Sequence, residues 1–146
     1  MRRIRRKRGP VRAKKVSYDG IQFQSGLEKY CYIRLKEAGL FEKYEEESFQ
    51  LLEPTTIENR VYERQSNGKG EFKLRSSNIR GIKYTPDFTG RDFIIETKGR
   101  ANESFPIRFK LFKVKLKELG DSRAVYKPQN QKEIDKMIEI IKSLRN

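Results

Sequence analysis

The sequence predicts an α/β domain in which a central mixed β-sheet is flanked by helices. Three observations carry that expectation: a capped helical pattern from Ser25 to about Gly39, a β-branched run from Phe93 to Lys98 behind a turn, and a closing helical stripe of Ile134, Met137, Ile138 and Ile141. At 146 residues the chain has the size of one domain, placed at residues 17–146, which buries roughly two-thirds of its unfolded surface.

Residues 1–16 read as a basic, disordered arm. Nine bases (Arg2, Arg3, Arg5, Arg6, Lys7, Arg8, Arg12, Lys14 and Lys15) stand there without an acid, broken by Gly9-Pro10, and repulsion at that density opposes packing. An address peptide is the alternative, but the stretch lacks serine and an apolar core, so the arm is expected to bind a phosphate backbone. In the first helix Leu27, Tyr30, Cys31, Ile33 or Arg34, and Leu35 form the apolar face, and Gly39 caps the end. Phe41–Leu52 reads as a strand with Glu45, Glu46 and Glu47 on a solvated edge, where they are spare candidates for ligands. A charged insertion follows at about residues 54–83. Its Asn67-Gly68 is a hairpin signal between Arg60–Glu63 and Glu71–Leu74. Thr89-Gly90-Arg91-Asp92 is a turn before the strand at Phe93–Lys98. Ile107–Leu119 reads as a basic amphipathic helix with Ile107, Leu111, Val114 and Phe112 inward, and with Arg108, Lys110, Lys113, Lys115 and Lys117 outward to meet backbone phosphates. Ala124–Lys127 is a short closing strand, and Gln131–Leu144 the last helix.

Composition narrows the chemistry. A formal charge of +14 and a pI near 10.0 mark a polyanion binder, with nucleic acid as the leading partner. The chain has no histidine, which excludes imidazole bases and histidine-ligated metals. The lone Cys31 excludes an internal disulfide and a cysteine cluster, and is expected to pack as a small apolar residue. No apolar stretch reaches the roughly 18 to 20 residues of a membrane span, and no signal core follows the opening arginines, so a cytoplasmic protein is expected.

Any catalysis must then rest on carboxylates, lysine, tyrosine or metal-activated water. Tyr84-Thr85-Pro86-Asp87 and Glu96-Thr97-Lys98 supply such a set. The turn puts Asp87 on the first arm of a hairpin, and strand alternation sends Glu96 and Lys98 to one face of the second. Two acids on paired strands can hold a hard cation, with the ammonium beside them to orient or deprotonate a water. The plainer alternative is a turn aspartate and an exposed ion pair. Against it, Phe93-Ile94-Ile95 marks a strand buried on both faces, where a carboxylate is costly without a cation.

Four blocks in one order, Phe23-Gln24-Ser25-Gly26-Leu27-Glu28, Tyr44-Glu45-Glu46, Tyr84-Thr85-Pro86-Asp87-Phe88 and Glu96-Thr97-Lys98-Gly99, resemble the PD-(D/E)xK nuclease superfamily. Within it the chain is most similar to the phage endonuclease I type of Holliday-junction resolvase and related small phage nucleases. The resemblance implies a restriction-endonuclease-like fold and a metal-dependent DNA endonuclease, selective for branched DNA. Asp87 and Glu96 would ligate Mg²⁺, or Mn²⁺ in its place, with the Thr97 carbonyl as a further ligand and Glu28 completing the metal environment. Lys98 would position the water for in-line attack on phosphorus. It also implies a homodimer that exchanges the segment from about Pro54 to Tyr84, which would make each site composite. Ser25 and Glu28 have the spacing of a capping box as well, which would keep Glu28 without any metal. The alternatives to this reading are a non-catalytic basic DNA-binding or packaging protein, a simple DNA-nicking nuclease, and an RNA-binding protein.

Overall fold

The computed structural model describes residues 13–146, so the arginines and lysine of the arm from Arg2 to Arg12 lie outside the described residues. The elements run β1 (Val16–Tyr18), β2 (Ile21–Phe23), α1 (Gly26–Glu37), β3 (Lys43–Tyr44), β4 (Phe49–Leu52), β5 (Thr55–Thr56), β6 (Val61–Arg64), β7 (Phe72–Arg75), β8 (Asn78–Ile79), β9 (Ile82–Tyr84), β10 (Phe88–Thr89), β11 (Phe93–Ile95), α2 (Phe105–Leu119), β12 (Ala124–Tyr126) and α3 (Gln131–Arg145). They form two compact units, one built from the described part of Met1–Tyr44 with Asp87–Arg100 and Ala124–Asn146, the other from Glu45–Pro86 and Ala101–Arg123.

The first unit holds the mixed sheet, in the order β12-β11-β10-β3. β11 and β12 are parallel, while β10 is antiparallel to both β11 and β3. Phe93, Ile94 and Ile95 are all buried, as a strand covered on both faces requires. Phe88, Phe93 and Ile95 share a core with Cys31 and Leu35 of α1 and Ile134, Ile138 and Ile141 of α3. Asp135 of α3 accepts from Tyr30 Oη at 2.8 Å and from Arg34 Nε at 2.9 Å, which fixes the two helices against each other. Arg145, at the end of α3, forks onto Asp92 at 2.6 and 2.7 Å and pins the turn between β10 and β11. In that turn Gly90 N donates to Phe93 O at 2.9 Å, and a Cβ on Gly90 would stand 2.5 Å from the buried Phe93 ring. Gly90→Ala should therefore cost about 1–3 kcal/mol by overpacking, measured as a lower denaturant midpoint at unchanged slope.

One hairpin was not expected. β1 and β2 pair in register Val16↔Phe23 around Asp19 and Gly20, whose φ angles of 53° and 73° are those of a two-residue primed turn. Val16 thus belongs to a strand and not to the arm. Asp-Gly between two apolar-containing triplets is the signal that marks it.

The second unit is a long two-stranded ribbon with one helix. Its rungs run from Phe49↔Tyr84 through Thr55↔Ile79 to Arg64↔Phe72, with a bulge at Gln50/Leu52, and the tip carries Asn67-Gly68 as expected. The single strand expected over Phe41–Leu52 is broken instead, because the backbone at Glu45 turns left-handed at φ 48°. On α2 the expected inward set holds only at Phe112: Ile107, Leu111 and Val114 are exposed, while Phe112 is buried together with Phe105 and Leu116. Phe112 stacks on Tyr84 at 4.4 Å between ring centroids and meets Phe49 at 5.0 Å. This aromatic stripe offers more apolar area than the aliphatic one and takes the inward side.

Candidate metal centre

The paired strands β10 and β11 place the acids. Their register, Phe88↔Ile95 and Thr89↔Ile94, continued by one rung, sets Asp87 opposite Glu96. Beyond β11 the chain stays extended along β12, where Glu96 N donates to Tyr126 O at 2.9 Å and Lys98 N to Pro128 O at 3.0 Å. Because both amides point the same way, the Glu96 and Lys98 side chains share a face, as alternation predicts.

Asp87 is held firmly. Thr97 donates to its Oδ2 twice, from the backbone N and from Oγ1, each at 2.7 Å. Both bonds fall on one oxygen, an arrangement in which the second can turn to a cation. Sequence reasoning assigned Thr97 through its carbonyl; its N–H and hydroxyl are what the structure engages. Nothing in the Glu-x-Lys spacing marks that hydroxyl, since a threonine in a strand is common for its β-propensity alone.

Glu28 reaches the same place from α1. Ser25 Oγ accepts from Glu28 N at 3.1 Å, while Glu28 Oε2 accepts from Gln24 N at 3.1 Å and from Tyr44 Oη at 2.8 Å. The helix start is thus closed much as a capping box closes it, with the return bond one residue earlier. Yet a carboxylate oxygen of Glu28 also lies within 4.8 Å of one of Asp87, so the capping and metal roles do not exclude each other. Tyr44, which the sequence places only in a matching block, is thus the residue that holds the Glu28 carboxylate from β3, a contact sequence reasoning missed.

Glu28, Asp87 and Glu96 are each at least nine-tenths buried. Burial pushes the Asp87 carboxyl well above the usual carboxylate range, the charge of Glu96 and then that of Glu28 push it further, and the Thr97 hydrogen bonds pull it back only in part. An aspartate repelled by two buried glutamates in a low dielectric is the electrostatic complement of a hard divalent cation, and carboxylate oxygens are the ligands Mg²⁺ and Mn²⁺ take. The residues present fit such an ion. Beside them a cleft of about 310 Å³ is lined by Ser25, Glu28, Thr97, half-buried Lys98, Gly99 and Arg100. Glu47 takes no part, since its carboxylate is paired with Arg123 at 2.9 Å.

Other basic candidates fall among the described residues. Lys14 and Lys15 are exposed ahead of β1, and Lys110 and Lys113 are exposed on α2. Arg108 donates to Lys83 O at 2.8 Å and lies over the Tyr84 ring, which makes it a brace of its own unit while leaving it exposed.

A family described as a protein of unknown function (DUF1064) matches residues 8–132. The chain belongs to DUF1064. The matched span includes Glu28, Asp87, Glu96, Thr97 and Lys98, so the whole acidic cluster lies inside the DUF1064 region. No curated protein and no solved structure matches the chain.

One substitution separates the two roles of Glu28. Glutamine keeps an acceptor for Gln24 N and Tyr44 Oη but removes the charge, so Glu28→Gln should leave the melting temperature within about 2 °C, while Glu28→Ala, which loses the cap as well, should cost about 0.5–2 kcal/mol. If Glu28→Gln melts as low as Glu28→Ala, the charge itself is structural.

Proposed function

We propose that this DUF1064 protein is a divalent-metal-dependent DNA endonuclease of the PD-(D/E)xK type that hydrolyses phosphodiesters in branched DNA. The observation that carries the reading is the convergence of buried Glu28, Asp87 and Glu96 on one site with Lys98 two residues along the same face as Glu96. A divalent cation held there supplies Lewis acidity and a water acidic enough to attack at neutral pH. The chain's own part is positional. Thr97 fixes one oxygen of Asp87, Tyr44 and Gln24 fix one of Glu28, and the Lys98 ammonium in the cleft orients the attacking water and faces the charge that develops on the phosphoryl oxygens.

The substrate follows from the resemblance to junction resolvases, and so does the homodimer, since two symmetric nicks need two sites related by a twofold axis. Exchange of the segment from about Pro54 to Tyr84 between protomers, which would make each site composite, belongs to the same reading and is tested by mixing Glu28→Gln with Asp87→Asn protein, where restored nicking is the expected result. The test is incubation with a labelled four-way junction and a matched linear duplex, with and without Mg²⁺. Cleavage of the junction only with Mg²⁺ is the expected result. Equal cutting of both substrates makes it a simple nicking nuclease, and binding without cutting makes it a non-catalytic DNA-binding protein.

A further inference from the structure

The ribbon carries charges that the acidic site does not use. On its β6–β7 end a cleft of about 490 Å³ is lined by Arg64, Arg75 and Arg80, with the hydroxyls of Ser66 and Ser76 beside them and Glu63 as its one acid. Three arginines elsewhere in the chain are neutralised: Arg34 by Asp135 and Glu37, Arg123 by Glu47 and Asp121, Arg145 by Asp92. Among the described residues, no ion pair engages Arg64, Arg75 or Arg80. Three uncompensated guanidinium groups around one cleft repel one another, and an anion removes that cost. Arg64 is also held in place, its guanidinium carbon 5.0 Å over the Phe72 ring, and Phe72 is braced in turn by Tyr62 at 5.5 Å. A guanidinium fixed in this way loses less side-chain entropy on binding, and its planar fork matches two phosphate oxygens.

We propose that this cleft binds a backbone phosphate of DNA through Arg64, Arg75 and Arg80, making the ribbon a DNA-contacting arm. The choice of DNA as the phosphate's source rests on the nuclease reading above; the anion site rests on the arginines.

The experiment uses the full-length protein carrying Glu96→Gln, so that bound DNA is not consumed, and follows fluorescence anisotropy of a labelled duplex across a range of salt. Adding Arg64→Gln, Arg75→Gln and Arg80→Gln should lower the slope of log affinity against log salt by about 0.9 for each phosphate that the protein no longer neutralises. Adding Lys132→Gln, Lys136→Gln and Lys142→Gln on α3, which removes the same charge from an exposed surface, should leave the slope at the parent's value. Equal slopes in the ribbon triple variant and its parent overturn the phosphate site while DNA binding stands. Equal falls in both triple variants also overturn it, since net charge alone would then account for the loss. A parent that binds no DNA at any salt overturns the nuclease reading and this partner together. Inorganic phosphate that protects the ribbon from heat as well as duplex does, with no slope change in the ribbon variant, assigns the cleft to the free ion and rejects DNA.

Discussion

Glu96→Gln should abolish divalent-dependent cleavage of junction DNA while leaving the affinity for that DNA largely intact. Glutamine has nearly the shape of glutamate, and the Glu96 amide bond to Tyr126 O is a backbone bond that the substitution does not touch. What disappears is one of the three negative charges that the proposed cation would neutralise. Loss of a metal's outer-shell partner already costs roughly 10- to 100-fold, so loss of a ligand should exceed the upper end of that range. Single-turnover cutting at saturating Mg²⁺ reads the effect, and a rate within tenfold of the parent's would remove Glu96 from the site. Lys98→Ala should depress the same rate without weakening cation binding, because the ammonium acts on the water and the developing charge.

Asp87→Asn should do two opposite things. It should abolish cutting, yet raise the melting temperature of the metal-free protein at neutral pH. The asparagine oxygen can still accept both Thr97 donors, and the substitution removes a charge that burial, Glu96 and Glu28 all oppose. At about 2–4 °C per kcal/mol for a chain of this size, relief of this repulsion is easily measured. The pH dependence has a defined sign. Because the native carboxyl holds its proton more tightly than the unfolded one, the native state binds more protons between the unfolded value of about 3.9 and the raised native value. Stability of the metal-free parent therefore falls as pH rises through that window and levels off above it, and the Asp87→Asn profile should lack this fall. Added Mg²⁺ should raise the parent's melting temperature at neutral pH by binding only the native state, and should leave that of Asp87→Asn much less changed. Superimposable melting profiles for the two proteins would show that no repulsion is stored at Asp87.

What was legible in the sequence depended on how locally each feature is decided. The Asp87/Glu96/Lys98 geometry follows from a turn and strand alternation within a dozen residues, and it is present as expected. The α3 stripe and the Asn67-Gly68 hairpin are local in the same sense. α2 is different, because the stripe of Ile107, Leu111 and Val114 and that of Phe105, Phe109, Phe112 and Leu116 both have helical period, and of the second only Phe112 was expected inward. Which stripe turns inward is set by Phe49 and Tyr84, remote in sequence and invisible to periodicity. The break at Glu45 could not be read either, since a positive φ at a non-glycine residue is imposed by its surroundings. Glu28 was legible as a capping residue and as an acid, and the structure shows the local cap and the long-range approach to Asp87 coexisting.

Cys31 turns the core beneath the acidic cluster into its own clock. It is the chain's one cysteine, fully buried in α1, and burial together with the charges of Asp87 and Glu28 pushes its thiol far above the ordinary range. A thiol that is both inaccessible and protonated does not react with alkylating reagents, so every labelling event reports an opening of the α1 core. The rate of modification under native conditions thus measures the opening free energy of the element that carries Glu28, without any added probe. A cation that bridges Glu28 to Asp87 slows that rate in proportion to its occupancy, which makes one mass-spectrometric time course a titration of the site.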